Sequence, residues 1–187
     1  MDAPKVVVEG LCKVFGSNPQ QALDMLAAGA TKDDVLKRTG QVVGVHNVSF
    51  DVQEGEIFVL MGLSGSGKST LIRLVNRLVD PSAGKVLIDG LDVASARRSA
   101  LTALRRKDMS MVFQSFALMP HRTVVSNAAF GLEVGGMGKK ERERRAMEVL
   151  EQVGLAPFSH KLPSELSGGM RQRVGIARAL AVNPSLM

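Results

Sequence analysis

The sequence predicts an α/β fold with a largely parallel central sheet. Apolar runs of strand length alternate with helical segments along the 187 residues, a pattern typical of layered α/β domains. A glycine-rich turn, "GLSGSGKS", lies between one of those apolar runs and a helix. The composition, 45% hydrophobic and 22% charged, is that of a soluble globular protein with enough apolar residues for a sizeable core.

The first part of the chain is expected to supply strands around two short helices. "KVVVEGLCKVFG" indicates a strand that closes at Gly16, and residues 17–40 indicate two helices, with a capping box from Thr31 to Asp34. "VVGVHNVSFDV" alternates apolar and polar residues, which indicates a strand with one buried face. "IFVLMG" is continuously apolar and predicts a strand buried on both faces.

The rest of the chain is expected to be mainly helical. The helix "KSTLIRLVNRLV" should end at Asp80, before a short strand "KVLIDG", a helix "RRSALTALRR" and a buried strand "MSMVFQ". Residues 122–152 are helical in pattern with a break at "GGMG", and Met147 and Leu150 should face the core. The last helix should begin near Ser167.

The charge and the single cysteine narrow the class of protein. A net charge of +6 suits nucleic acid, an anionic membrane face or a polyanionic ligand such as a nucleotide. Cys12 alone cannot form an internal disulfide, which fits a reducing compartment. We find no signal peptide and no run of the roughly eighteen apolar residues that a spanning helix needs. Other chains are therefore expected to provide any attachment to a membrane.

The glycine-rich turn predicts a nucleoside triphosphate site. It matches G-x-x-x-x-G-K-[ST] between a strand and a helix, the context in which backbone N–H groups and the helix N-terminus face an anion. Lys68 should reach the β- and γ-phosphates, and the Ser69 hydroxyl should bind Mg²⁺. A turn that binds nothing is the alternative. The expected ATP-binding residues here are Gly62, Leu63, Ser64, Gly65, Ser66, Gly67, Lys68, Ser69 and Thr70.

A second glycine-rich turn opens the last helix, in "LSGGMRQRVGIARAL". Ser167 could simply cap that helix. The alternative is that this turn contacts the nucleotide of a second copy, because the first turn already holds the phosphates of its own. Two copies packed head to tail would then form two such sites at once. The residues concerned are Leu166, Ser167, Gly168, Gly169 and Met170.

These motifs, in this order, resemble those of the ATP-binding subunits of ABC transporters. The glycine-rich turn, Gln114 in "MVFQSFALMPHRTV" and the "LSGGM" signature are the residues that carry the resemblance. It implies that Gln114 contacts Mg²⁺ and the attacking water and that Phe15 stacks on adenine. The family's usual signature ends in Gln, where this chain has Met170.

The resemblance also implies an architecture. The family has a P-loop core with a mainly parallel sheet, an antiparallel β subdomain and a helical subdomain that carries the signature, here about residues 115–170, with residues 17–40 as a helical insertion. The family's Walker B strand, D-loop, switch histidine and any C-terminal regulatory domain are not found in residues 1–187, although "NPSLM" could begin that strand. We therefore expect a partial domain with an exposed apolar edge, which alone folds poorly or binds ATP weakly with negligible turnover.

A narrower resemblance is to the glycine betaine/proline betaine (quaternary amine) importers, based on the insertion, "ALMPH" and Met170. It implies ATP and Mg²⁺ as cofactors, a head-to-tail homodimer, an integral membrane permease, an extracytoplasmic solute-binding protein, and a peripheral position on the cytoplasmic face. No nucleic acid is expected. The alternatives are an importer for another solute, such as an amino acid, and a nucleic-acid-acting ABC ATPase. A P-loop kinase or GTPase would not explain "LSGGMRQR".

Overall fold

The computed structural model describes residues 3–187. It divides into two compact units, the first ending at Arg97 and the second beginning at Arg98. The first unit holds a sheet, two inserted helices and the glycine-rich turn, and the second is built from helices. The description below takes each unit by itself.

The sheet of the first unit is antiparallel and has four strands in the order β2-β1-β3-β4. The long pair β1 and β2 runs with Val6 opposite Val52 and Phe15 opposite Val42. This sheet is the antiparallel β subdomain that the family resemblance implies. The strands are β1 Val6–Phe15, β2 Val42–Val52, β3 Ala83–Ile88 and β4 Leu91–Asp92.

The predicted helical insertion is confirmed as two helices between β1 and β2, α1 Pro19–Ala27 and α2 Lys32–Thr39. The capping box is present, since the Asp34 N–H donates to Thr31 Oγ1 at 3.1 Å and the Thr31 N–H donates to Asp34 Oδ2 at 3.0 Å. Both helices pack on the sheet through a small buried apolar cluster, which consists of Val14, Ala22, Leu26, Val35 and Val43.

The helix after the glycine-rich turn, α3 Lys68–Val75, is shorter than predicted. The expectation that it runs to Asp80 is wrong because Arg77 adopts a left-handed backbone, with φ +49°. The Arg77 guanidinium donates to the carbonyls of Val93 at 3.1 Å and Ala96 at 2.6 Å. These two hydrogen bonds stabilise the backbone conformation in which the chain turns away from the helix axis.

The prediction of a buried strand at "IFVLMG" is also wrong. Most of residues 57–61 are exposed, with Ile57 at 89%, Val59 at 66% and Met61 at 85% of their full surface, and Leu60 is half-buried. A strand needs a hydrogen-bonded neighbour, and none of the residues that the structure describes pairs with this run. Phe58 stacks on Phe50 of β2, with 4.7 Å between the ring centroids. The run is an exposed apolar segment and does not form a sheet edge, so the expected exposed apolar edge of the sheet stays a prediction.

The predicted strand "MSMVFQ" is reduced to a single parallel bridge between Met109 and Leu186. The Ser110 N–H donates to the Leu186 carbonyl at 2.9 Å, and the Leu186 N–H donates to the Asp108 carbonyl at 2.9 Å. Within residues 3–187 this bridge is the extent of the parallel pairing. It places the "NPSLM" segment beside the run that leads to Gln114, in the parallel direction expected for it.

The second unit contains five helices. The predicted helical segments are present with the break at "GGMG", and the segment before that break forms two short helices where the sequence pattern predicts one. Its core includes Leu150, which is fully buried, and Met147 packs against it, so both predicted core positions are confirmed. The helices are α4 Arg98–Lys107, α5 Val124–Ala128, α6 Phe130–Val134, α7 Lys139–Gln152 and α8 Gly168–Ala181, with short 3-10 turns at Ala156–Phe158 and Pro163–Glu165.

Candidate functional site

The glycine-rich turn ends in an uncapped helix N-terminus. Gly67 occupies the N-cap of α3 with φ +94°, and no side chain caps the helix. The backbone N–H groups of Gly67, Lys68 and Ser69 donate to no other residue in the described part of the chain. Unpaired N–H groups and the positive end of the helix dipole together favour an anion at this position.

The Lys68 ammonium lies over the same turn. Its Nζ donates to the carbonyls of Gly62 at 2.7 Å and Leu63 at 2.6 Å, and it lies 3.4 Å from Ser66 Oγ. The positive charge therefore sits where the helix N-terminus also points. Ser69 on the first turn of α3 is exposed, and Thr70 is half-buried. The turn and Lys68 make a cationic, donor-rich concave surface that suits a polyphosphate.

The aromatic ring of Phe15, at the end of β1, is 44% exposed. The Lys13 ammonium lies 5.2 Å from its centroid. One edge of the ring rests against Gly44 of β2, where a Cβ would come within 2.8 Å of Phe15 Cε2. The carbonyl of Gly44 in turn lies against Gly67, where a Cβ would come within 2.3 Å of it. The first unit thus brings the predicted adenine platform and the predicted phosphate turn together on the two sides of one glycine.

Gly44 is a site residue that the sequence argument missed. The available signal was a glycine in the interior of a predicted strand, which often marks a close approach of another group.

The second glycine-rich turn opens α8. Ser167 caps the helix, since its Oγ accepts from the Met170 N–H at 3.3 Å, and its hydroxyl proton remains available to another acceptor. Gly168 and Gly169 are exposed, and their N–H groups donate to no described residue. A Cβ at either glycine would meet nothing within 4 Å. The turn therefore presents a hydroxyl and two N–H groups to open space.

The two outer residues of the signature have other roles. Leu166 is 5% exposed and belongs to the helical core of the second unit. Met170 is half-buried and packs against that same core. Their side chains therefore hold the turn in place. The polar groups of Ser167 and the two glycines are the part of the signature that faces outward.

Gln114 is exposed and precedes a tight turn in which Phe116 and Ala117 have φ of +63° and +45°. Arg178 of α8 holds this turn, donating to the Phe116 carbonyl at 3.0 Å and the Ala117 carbonyl at 2.6 Å. Burial lowers the pKa of Arg178 from its ordinary value. The Arg171 guanidinium, also on α8, lies 5.8 Å from the Phe116 ring. These contacts therefore hold the segment after Gln114 against the signature helix, α8.

The next part of this segment is held by Asn127, which is fully buried. Its Oδ1 accepts from the Met119 N–H at 2.8 Å, and its Nδ2 donates to three carbonyls of residues 119–123. The sequence argument missed both Asn127 and Arg178. His121, on this loop, is exposed. A cavity of about 400 Å³ lies alongside, lined by Ser115, Phe116, Leu118, Pro120, Pro163, Ser164 and Arg171.

The family of the chain follows from its similarity to known protein families. Residues 45–187, which include both glycine-rich turns and Gln114, match the ABC transporter family. The chain belongs to the ABC transporter family.

Curated ABC relatives extend the match over nearly the whole chain. The glycine betaine/proline betaine transport system ATP-binding protein ProV of Escherichia coli is 53% identical over 185 residues, which is 99% of this chain and 46% of the relative. The glycine betaine/carnitine transport ATP-binding protein GbuA of Listeria monocytogenes is 54% identical over 183 residues, 98% of this chain and 46% of the relative. The chain spans about half the length of these curated relatives.

A solved ABC structure confirms the predicted fold class. The dimeric structure of a bacterial ABC transporter cassette superposes with a TM-score of 0.78 and 33% sequence identity, covering 96% of this chain and 70% of that chain. The same cassette in a post-hydrolysis state, bound to ADP and phosphate, also gives a TM-score of 0.78. Across residues 3–187, no helix is both long and apolar enough to cross a membrane.

Proposed function

We propose that this chain is part of an ATP-binding and ATP-hydrolysing subunit that powers the import of glycine betaine, proline betaine or a related quaternary amine through a membrane permease. The observation that carries ATP binding is the uncapped N-terminus of α3, with unpaired N–H groups and the Lys68 ammonium over the same turn. The quaternary amine is supported by relatives more than 50% identical that are named for glycine betaine transport.

In this proposal the triphosphate lies in the first glycine-rich turn. Lys68 exchanges its bonds to the loop carbonyls for the β- and γ-phosphate oxygens, and Phe15 stacks on the adenine ring. Gln114 would help to hold Mg²⁺ and would orient the attacking water. Electrostatic stabilisation and positioning supply most of the catalysis in phosphoryl transfer, which is why the donor-rich turn matters most.

The residues of the turn fit Mg²⁺ in their chemistry. Mg²⁺ prefers oxygen ligands and is held by few protein groups together with phosphates and waters. The exposed Ser69 hydroxyl on the first turn of α3 is a ligand of this kind, and the exposed side chain of Gln114 carries another such group, its amide oxygen. Among the described residues no group of three His, Cys, Asp or Glu could hold a metal ion by itself. The bound Mg²⁺ would neutralise charge that develops on the phosphates.

The second glycine-rich turn would complete the site of a partner copy. Ser167, Gly168 and Gly169 present their donors outward, which fits a phosphate held by the first turn of another chain. A head-to-tail homodimer forms two such sites by one two-fold axis. The related cassette of known structure is described as dimeric, which supports this arrangement.

The permease would contact the loop after Gln114. The cavity beside that loop, lined in part by Phe116, Leu118 and Arg171, could receive a short helix of a membrane subunit. His121 lies exposed on the same loop. The subunit would then be peripheral, on the cytoplasmic face, and an extracytoplasmic solute-binding protein would deliver the solute to the permease.

Residues 1–187 would form part of one ABC ATP-binding domain, with 17–40 as a helical insertion and about 115–170 as the signature-bearing helical subdomain. An amino-acid importer is the second candidate, because a methionine import ATP-binding protein of Desulfitobacterium hafniense is 49% identical over 150 residues. Uptake of labelled glycine betaine and of labelled methionine, in source cells with and without the gene, separates the two. Loss of methionine uptake alone would refute the quaternary-amine assignment.

Nucleotide binding can be tested on the chain itself. A fluorescent ATP analogue should bind in the presence of Mg²⁺, and Lys68→Ala should weaken binding at least about tenfold, since a charge-assisted phosphate contact is lost. Lys140→Ala is the matched control, because Lys140 is an exposed lysine on α7 and the variant has the same net charge. Equal binding by the two variants would refute the assignment of the phosphate site.

A further inference from the structure

Gly44 lies between the ring of Phe15 and the phosphate turn. A Cβ on Gly44 would stand 2.8 Å from Phe15 Cε2 and 3.4 Å from Phe15 Cδ2. The Gly44 carbonyl oxygen fills the space that a Cβ on Gly67 would need, at 2.3 Å. Any side chain at position 44 would therefore push the ring away from its present place.

Gln41 holds the chain just beyond Phe15. Its side chain is 3% exposed and lies against Gly16, where a Cβ would meet Gln41 Cγ at 2.4 Å. Its Oε1 accepts from the Asn18 N–H at 3.0 Å, at the start of α1. Gly44 therefore contacts one edge of the Phe15 ring, and Gln41 holds the backbone that follows Phe15.

We infer that Gly44 is a positioning residue for the nucleotide base: it sets the place of the Phe15 ring relative to the phosphate turn, and Gln41 holds the adjoining chain. The inference rests on the proposed function, because Phe15 serves as a platform for adenine only if ATP occupies this turn. Gly44 itself touches no base in this argument and acts through the ring.

The test compares ATP with inorganic tripolyphosphate, which offers the same phosphates without a base. Gly44→Ala should weaken ATP binding by about tenfold, because base–aromatic stacking is worth that order of affinity. Binding of tripolyphosphate should change by less than about twofold, since the phosphate turn keeps its donors. Both affinities are measured by calorimetry on the whole chain.

A double-mutant cycle tells whether Gly44 acts through Phe15. In a Phe15→Ala background, Gly44→Ala should cause no further loss of ATP affinity, because the ring that the methyl would displace is gone. Gly138→Ala is the matched control, since a Cβ there meets nothing within 4 Å and Gly138 lies in the second unit. It should leave both affinities unchanged.

Each other outcome is decisive. Equal losses for ATP and tripolyphosphate, or additive losses in the cycle, would overturn the inference while leaving the phosphate site intact. A wild-type chain that is folded, as judged by circular dichroism, and binds neither ligand would overturn the proposed function and the inference with it. If Gly44→Ala does not fold, as judged by circular dichroism, Gln41→Met takes its place. That variant removes the acceptor for the Asn18 N–H and must weaken ATP more than tripolyphosphate, or the inference fails.

Discussion

Replacing Asn127 with alanine should release the loop that follows Gln114. The Asn127 Oδ1 accepts from the Met119 N–H at 2.8 Å, and the two hydrogens on its Nδ2 are shared among three carbonyls at 3.1, 2.9 and 3.1 Å, which amounts to three full hydrogen bonds. Among the described residues of the second unit, Asn127 is the only polar residue with 0% of its surface exposed. The amide therefore substitutes for secondary structure along residues 119–123.

The expected cost follows from those bonds. At about 0.5–1.5 kcal/mol net for each hydrogen bond, three bonds contribute about 1.5–4.5 kcal/mol. Water can reach part of the freed loop and satisfy some of its carbonyls, so we expect a loss of about 2–4 kcal/mol in the free energy of unfolding. For a chain of this length that corresponds to a fall of about 5–15 °C in Tm.

Two measurements check this prediction. Thermal unfolding reports the loss of stability, and hydrogen exchange at the Met119 amide reports the loop, because that N–H loses its acceptor. Glu151→Ala is the control, since Glu151 is exposed on α7 and such changes stay within about 0.5 kcal/mol. The reasoning is refuted if Asn127→Ala matches the control in Tm and Met119 exchanges no faster.

Two further predictions concern the helices of the second unit. Hydrogen bonding from Arg122 and the nearby charge of Arg142 hold the pKa of the Glu133 carboxyl below its ordinary value. The Glu133 carboxylate therefore stabilises the folded state above its ordinary pKa, and this stabilisation is lost as the pH falls through the folded-state pKa. Glu133→Gln should therefore lose less Tm than wild type between about pH 6 and about pH 3, and a parallel decline would contradict this. Leu150→Ala should lower the free energy of unfolding in urea by about 2–5 kcal/mol, because Leu150 is fully buried. Leu162→Ala, at a position 37% exposed, should lower the free energy of unfolding clearly less. Equal losses for the two variants would contradict the assignment of Leu150 to the core.

Local signals in the sequence were sufficient for much of the fold. The capping box at Thr31 and Asp34, the alternation in β2 and the glycine break before α7 each depend on residues close together in the chain. They predicted the corresponding elements within a few residues. The glycine-rich turns were readable for the same reason, since each motif is a short segment with its own backbone geometry.

The absence of a strand at residues 57–61 could not be predicted in this way. An apolar run becomes a strand only when another segment supplies hydrogen bonds, and the residues of the run do not show whether such a segment is present. Arg77 is a similar case, because the bonds that end α3 early go to carbonyls 16 and 19 residues further along. Propensity favoured a longer helix, and contacts distant in sequence overrode it.

The supporting residues of the site were missed for a related reason. Arg178 bonds to carbonyls 61 and 62 residues earlier in the chain, and Gly44 matters through Phe15 and Gly67, which flank it in space. The partners of Arg178 and Gly44 cannot be read from the spacing of any motif in the sequence. Residues that bind a phosphate follow a local pattern, whereas residues that hold a loop in place can lie anywhere in the chain.

The physical reason for a glycine differs between the two turns. Gly67 is required by the fold of its own unit, because its φ is +94° and a Cβ would meet the Gly44 carbonyl at 2.3 Å. Gly168 and Gly169 have no such requirement, since neither has a positive φ and a Cβ at either would meet nothing within 4 Å. A pair of glycines that the described structure does not require is accounted for by a close approach from outside, and in the proposed head-to-tail homodimer the nucleotide held by the second copy would make that approach.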